Sequence, residues 1–228
     1  MRLVVISDTH NRHKKIELPY GDVLIHCGDA TAQGRSSEIR EFSKWFHAQP
    51  HPHKLFVAGN HDMGFQDHPV DAVVELSPGL DGVNYLMDSG VEIDGVKFWG
   101  SPWTKMFNKW AFMKEDNDPE LVKIYDRIPT DTDVLITHGP PIFILDKANR
   151  SWGDDGGHCG LTPLSDAVRR IRPQIHVFGH VHEAYGQEES GGTKFGNAAI
   201  CDLSYVPVHA PLVYDVSPRS VVGGTVAS

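Results

Sequence analysis

The sequence predicts a layered α/β fold in one domain over residues 1–216, and three observations carry that expectation. Short apolar runs of strand length recur along the chain, each closed by turn formers. Segments with helical spacing alternate with them, the ordering of a layered α/β architecture. One pair of strand-like runs flanks Asp94-Gly95, a two-residue hairpin signal, so the sheets cannot be purely parallel.

Five runs share a feature at their carboxyl ends. Leu3–Ile6 leads into Asp8 and His10, Val23–Cys27 into Gly28-Asp29, and Leu55–Ala58 into Gly59-Asn60-His61-Asp62. Val134–Thr137 leads into His138-Gly139, and Ile175–Phe178 into Gly179-His180-Val181-His182. Between them, Ser36 or Ser37 can cap a helix running toward Gln49, with Ile39, Phe42, Trp45 and Phe46 on one face. Pro119–Arg127 forms a second helix, Pro119 suiting its first turn. Thr162 to Arg170 forms a third, ending before Arg172-Pro173. Val91–Ile93 and Val96–Trp99 form the hairpin, and antiparallel strands continue through roughly Thr193–Asn197 and Leu212–Val216. Pro50-His51-Pro52-His53 reads as a loop into the third strand. Residues 217–228, small and polar, are expected to be a loosely ordered tail.

Bulk properties narrow the function. With 228 residues and 40% hydrophobic content, the chain can bury a sizeable core as one domain. A formal net charge of −9 argues against a broad basic surface for nucleic acid, although bound metal would supply local positive charge for phosphate. No stretch approaches the ~18 apolar residues of a membrane span, and the first run is too short for a signal-peptide core. Cys27, Cys159 and Cys201 are odd in number and scattered, giving neither a disulfide framework nor a cysteine-based zinc pattern. Reduced thiols in a cytoplasmic protein are the expectation. The 14 histidines need an outlet, and metal ligation is one.

Any one strand-end motif reads equally as a turn. Their joint occurrence after five strands points to a single centre, because ligands gather beyond the carboxyl ends of strands. Carboxylate and imidazole donors suit divalent ions such as Mn, Fe or Zn. Two such ions about 3.5–4 Å apart need a bridge, which a lone aspartate can provide. His180 and His182, two residues apart, would share a face in an extended segment.

The ordered set Asp8-Thr9-His10, Gly28-Asp29, Gly59-Asn60-His61-Asp62, His138 and Gly179-His180-Val181-His182 resembles the calcineurin-like metallophosphoesterase signature, across most of the chain. The resemblance implies two mixed β-sheets in a sandwich flanked by helices, with a dinuclear metal centre at one end. It implies Asp8, His10 and His182 on one metal, Asn60, His138 and His180 on the other, and Asp29 as the bridge. His61 would be the non-ligand histidine beside the leaving group. The ions would be Mn, Fe, Zn or Mg, with Mn the expected choice in vitro. A finer resemblance, to the metallophosphoesterase-domain brain proteins and their bacterial relatives, rests on several segments. These are Pro102-Trp103-Thr104, Phe107-Asn108, Trp110, Thr137-His138-Gly139-Pro140-Pro141, Arg172-Pro173, His176-Val177-Phe178-Gly179 and Tyr185-Gly186. Those brain proteins have a glycine where this chain keeps His180, so a more competent centre is implied here.

The implied reaction is in-line attack on phosphorus by a metal-bridging hydroxide, with His61 protonating the leaving alkoxide. Asp62 either orients His61 or bonds loop backbone. Serine/threonine phosphatases of the superfamily place arginines after both Gly-Asp and Gly-Asn-His. Here Ala30-Thr31-Ala32-Gln33 and Asp62-Met63-Gly64 stand in those places, which favours a singly charged diester. Cyclic nucleotides are the implied substrates, with a phosphomonoesterase, a nuclease or a non-catalytic metal-bound scaffold as alternatives. Asn60 and His61 would touch substrate. Trp103, Phe107, Trp110 and Trp152 could stack a base, or pack internally as large aromatics usually do. His158 either reaches substrate or faces solvent; Asn197 either donates to the site or caps a turn. His26 and His176, inside strand runs, read as hydrogen-bonded core residues. The Phe143–Gly160 loop has no assigned role, and the protein is expected as a monomer or homodimer.

Overall fold

Short Val/Ile/Leu/Phe runs buried at successive positions make strands that need cover on each side. The computed structural model, which describes residues 1–77, 82–148 and 157–219, supplies that cover with four layers. The strands are β1 (Arg2–Ile6), β2 (Val23–His26), β3 (His53–Phe56), β4 (Val83–Tyr85), β5 (Ser89–Ile93), β6 (Val96–Ser101), β7 (Thr104–Lys105), β8 (Met113–Lys114), β9 (Val134–Thr137), β10 (Ile175–Phe178), β11 (Gly186–Ser190), β12 (Thr193–Asn197) and β13 (Leu212–Asp215). The helices are α1 (Ser36–His47), α2 (Gly64–Asp67), α3 (Pro69–Leu76), α4 (Pro119–Asp126) and α5 (Thr162–Ile171).

One sheet has the order β13-β1-β2-β3-β4 and the other β11-β12-β10-β9-β6-β5, with β7 and β8 pairing apart. The inward positions Leu3, Val5, Ile25, Leu55 and Val57 of the first sheet meet Phe98, Val134, Ile136 and Val177 of the second. The alternate positions Val4, Ile6, Leu24 and Phe56 face outward, onto Ile39, Phe42 and Phe46 of α1 and Leu76 of α3. On the opposite side, Leu135 and Phe178 pack against Leu121 and Ile124 of α4 and Leu164, Val168 and Ile171 of α5. Each such side chain contributes about 1.5–3 kcal/mol when fully buried, so the period-two pattern fixes which face each strand shows.

Several local expectations shift. Neither Ser36 nor Ser37 caps α1: Arg35 precedes the helix, its N–H donates to Glu38 Oε2 at 3.0 Å, and the Ser36 hydroxyl turns to Glu75 of α3. Asp118 caps α4 by accepting from the Glu120 N–H at 2.8 Å. Arg172 ends α5 in the left-handed region at φ 50, directly before Pro173. Asp94 and Gly95 both take positive φ, the geometry of a type I′ hairpin turn. β13 runs antiparallel to β1, but β12 is antiparallel only to β11 and parallel to β10. The Pro50–His53 stretch is a loop up to Pro52, with His53 already in β3. No helix among the described residues is long and apolar enough to cross a membrane. Trp152 and residues 220–228 lie outside the described residues.

Candidate metal centre

β1, β2 and β3 run parallel in one sheet, and β9 and β10 run parallel in the other. The end of β1 is stitched across the sandwich, the Ser7 N–H donating to Ala198 O at 2.9 Å. The loops beyond these strands therefore meet. There the backbone is bent sharply: Asp8, His10, Asp29 and His180 all have positive φ, an uncommon state for residues with side chains. Glycines make room for the carboxylates. A Cβ on Gly59 would lie 2.2 Å from Asp29 Oδ1, and one on Gly179 would lie 2.1 Å from Asp8 Oδ2.

The donors converge. Asp8 Oδ2 accepts the His180 N–H at 2.9 Å, while the buried Asp8 Oδ1 has no hydrogen-bond partner. That oxygen lies 3.4 Å from His182 Nε2 and 3.9 Å from His10 Nε2, and the two imidazole nitrogens are 3.3 Å apart. Asp29 Oδ1 accepts the His61 N–H at 2.7 Å and lies 3.4 Å from His138 Nε2. Asp29 Oδ2 lies 3.8 Å from His10 Nε2 and 3.9 Å from His61 Nε2. His138 Nε2 is 3.0 Å from Asn60 Oδ1. Backbone carbonyls set the ring tautomers, since a carbonyl can only accept. Nδ1 of His138 donates to Cys27 O, that of His182 to Asp202 O and that of His61 to Ala32 O, each at 2.9 Å. Every one of these rings thus turns Nε2 inward, the usual arrangement behind metal-binding histidines.

Three trios have ligand atoms within 4.8 Å of one another: Asp8/His10/His182, His10/Asp29/His61 and Asp8/Asp29/His138. Asp8, His10 and Asp29 each belong to two of them, and Asp29 turns one oxygen toward His138 and the other toward His10, the spread a bridging carboxylate needs. Asn60 joins through His138. His180 sits at the margin, its ring 5.1 Å from that of His138 and its amide serving Asp8. The charge balance also fits cations. Burial alone would raise the carboxyls of Asp8 and Asp29, yet the facing histidines, His182 for Asp8 and His138 for Asp29, hold both below the usual range. Burial would lower His138 and His182, but the same carboxylates lift each to about 9. His10 and His180, dominated by burial, fall to about 4 and about 3. Two sequestered carboxylates, an oxygen without a hydrogen bond and inward Nε2 atoms, whose protons a cation would displace from His138 and His182, form a donor set suited to divalent ions of the Mn, Fe or Zn type.

Other expected site residues fall elsewhere. Asp62 is fully buried and does not touch the ring of His61. Its carboxylate accepts from the N–H groups of Gly59, Thr31 and Ala30 at 2.9, 2.9 and 3.2 Å and from the Thr31 hydroxyl at 2.7 Å. It clamps the loop after β2 to the loop after β3. Trp103 is not a cleft residue: its Nε1 donates to Asp88 at 3.0 Å and its ring packs edge-on to Phe112. Asn197 is fully buried and does not line the cleft, its Nδ2 donating to Val181 O at 2.8 Å and its Oδ1 accepting the Ala199 N–H at 3.1 Å. His26 and His176 are core residues as expected, each bonded to a threonine hydroxyl, Thr9 and Thr137, at 3.0 and 2.9 Å. Cys27, Cys159 and Cys201 form no disulfide among the described residues.

Over the cluster opens a cleft of about 420 Å³. Trp110 lies against His61 with ring centres 4.1 Å apart, and Phe107 lies 5.6 Å from His180. His158 is among the residues lining this cleft, its side chain 26% exposed. Tyr205, unforeseen from sequence, stands edge-on to His10 at 4.6 Å with a left-handed backbone, φ 58. Asp202 holds it there by accepting the N–H groups of Ser204 and Val206 at 2.9 and 3.0 Å. The Asp-x-Ser pattern was the available signal, since such side chains close turns on their own backbone.

Metallophosphoesterase domain-containing protein 1 of Homo sapiens is 38% identical over 239 residues, covering 96% of this chain and 72% of its own. UPF0046 protein K07C11.7 of Caenorhabditis elegans is 38% identical over 232 residues, covering 97% of this chain and 77% of its own. Among solved structures, TT1561 of Thermus thermophilus shares the fold with a TM-score of 0.59 at 11% identity, over 89% of this chain and 90% of that one. A second solved chain reaches 0.65 at 14% identity, over 95% and 99%. Residues 1–184 match the Calcineurin-like phosphoesterase family, and with the donor set above this makes the chain a member of that family.

Proposed function

We propose that the protein is a dinuclear-metal-dependent phosphodiesterase of the cytoplasm, with cyclic nucleotides among its substrates and Mn an effective metal. The observation that carries the diester reading is the cleft wall. Among the described residues lining it there is no arginine, Lys105 is the sole lysine, and Phe107, Trp110 and Tyr205 present aromatic rings. A dianionic monoester calls for strong, forked cationic capture, whereas a singly charged diester needs less. Flat aromatic surfaces suit a nucleobase.

Asp8, His10 and His182 would hold one cation and Asn60, His138 and His180 the other, with Asp29 between. Bound there, such ions would polarise the phosphoryl oxygens and render water nucleophilic near neutral pH. The chain's own groups do the rest. Asp29 fixes the His61 backbone through its N–H, and Ala32 O fixes the ring through Nδ1. Nε2 of His61 is thereby aimed at the cleft, where it delivers a proton to the departing oxygen. Trp110 against the ring limits its rotation.

The test compares bis-p-nitrophenyl phosphate, p-nitrophenyl phosphate and 2′,3′- and 3′,5′-cyclic AMP with Mn-loaded protein, then with chelator. Faster diester turnover, lost on chelation and restored by Mn, is the expected result. A preference for the monoester would overturn the diester reading, and inactivity of fully loaded protein would favour a metal-bound scaffold.

A further inference from the structure

A second carboxylate–imidazole pair lies beside the cleft, outside the metal cluster. Asp146 is 2% exposed, and its Oδ1 takes His158 Nδ1 at 2.8 Å. Its other oxygen accepts the N–H groups of Phe143 and Gly160 at 3.0 and 3.1 Å. The backbone around the ring is equally fixed. Lys147 and His158 form an antiparallel bridge, and the Cys159 and Ala148 N–H groups donate to Asp146 O and Gly157 O, each at 2.9 Å. Phe143 meets the imidazole edge-on at 4.8 Å. Asn197 ties this loop to the one bearing His180, its Nδ2 reaching both Leu145 O and Val181 O.

A solvent-facing loop histidine needs none of this. A buried carboxylate on Nδ1 sets the tautomer and the ring plane, which is how proteins aim an imidazole. Nδ1 is committed to Asp146, so Nε2 is the nitrogen left for a ligand in the cleft that His158 lines. Lys105, whose Nζ donates to His158 O at 3.2 Å, lines the cleft beside it. Together they make a polar corner in a wall otherwise rich in aromatic rings.

Resting on the phosphodiesterase reading, we propose that His158 is a substrate-binding residue whose Nε2 hydrogen-bonds a hydroxyl of the organic part of the ester, such as a ribose hydroxyl, with Asp146 as its positioning residue. The ligand class is a nucleoside phosphate rather than a simple aryl or alkyl ester.

The experiment measures selectivity in Mn-loaded protein, as kcat/KM for 2′,3′-cyclic AMP divided by that for bis-p-nitrophenyl phosphate, which carries no hydroxyl. His158→Ala should lower this ratio about 3- to 10-fold, the scale of one hydrogen bond, with the change residing in KM. Asp146→Asn should move the ratio the same way. Equal losses on both substrates, or an unchanged ratio, would show a loop staple and overturn the proposal. A binding arm stands apart from turnover: in ¹⁵N-imidazole NMR of Zn-loaded protein, adenosine 3′-monophosphate, which keeps the free 5′-hydroxyl of 2′,3′-cyclic AMP, should shift the resonance that His158→Ala removes, and inorganic phosphate should not. An unmoved resonance overturns the proposal even in an active enzyme. A shifted one supports it even where diester hydrolysis fails, which would be a failure of the parent reading alone.

Discussion

Replacing Asp62 by asparagine separates two roles that adjacency to His61 makes easy to confuse. The carboxylate receives four donors, Thr31 N–H and hydroxyl on Oδ1, Gly59 and Ala30 N–H on Oδ2, with no exposure to water. An asparagine keeps one acceptor oxygen. With that oxygen toward Gly59 and Ala30, the new amide NH₂ faces Thr31. The threonine hydroxyl can rotate to accept from it, but the Thr31 N–H is left unsatisfied. A stranded buried donor costs about 1–3 kcal/mol, and losing the charge on the remaining bonds adds about 1 kcal/mol. A total near 3 kcal/mol corresponds, for a chain of this size, to a melting temperature lower by roughly 6–12 °C. Asp62→Asn should therefore melt early in a thermal scan and lose metal, because the clamped loops carry Asp29 and Asn60. His61→Ala should do neither. Wild-type stability in Asp62→Asn, combined with a turnover defect matching that of His61→Ala, would refute this reasoning and return Asp62 to a role in proton transfer.

Three further outcomes follow from the geometry. His61→Ala should reduce kcat for an alkyl diester about 100- to 10,000-fold with near-normal metal by elemental analysis; metal loss would instead make His61 a ligand. Gly179→Ala puts a Cβ 2.1 Å from both Asp8 Oδ2 and Ser7 Oγ, so metal affinity by competitive chelation should weaken about 10- to 100-fold, and unchanged affinity would contradict the packing described. His176, fully buried, is held neutral with its pKa lowered to about 3 by burial. Protons therefore bind the unfolded chain first: stability is full above about pH 6.5 and falls as pH drops toward 3. Between pH 6.5 and 5 the loss from this group is about 2 kcal/mol, so urea unfolding of His176→Gln should show a correspondingly shallower acid dependence, and identical slopes would count against it.

The motif residues were legible in sequence because they sit one to four positions past short apolar runs, where topology alone brings them together. Asp8, Asp29 and His138 needed no long-range information beyond the parallel alignment of β1, β2 and β9. The cleft wall was not legible. Tyr205 arrives from a turn with no metal-type residue pattern, and its position depends on Asp202 folding that turn. Trp103 and Trp110 look alike in sequence, yet the Asp88 carboxylate draws one indole inward and the other faces His61. Asp62 and Asn197 each kept two readings open in sequence, because polar residues near a site are as often spent on backbone groups as on ligands, and both are spent on backbone here. The capping of α1 by Glu38 rather than serine reflects competition, since Glu75 of α3 takes the Ser36 hydroxyl.

The Asp202 turn carries one more consequence. Its carbonyl steadies His182 while its carboxylate shapes the segment that holds Tyr205 at the rim. Under the proposed function, ester choice and cation retention would therefore share a turn of five residues, Asp202 to Val206. A lineage adapting to a new ester could exchange side chains along that turn, but lengthening it would loosen the grip on the ion. An insertion in this turn would separate the Asp202 carbonyl from His182 Nδ1, which would then need a new anchor.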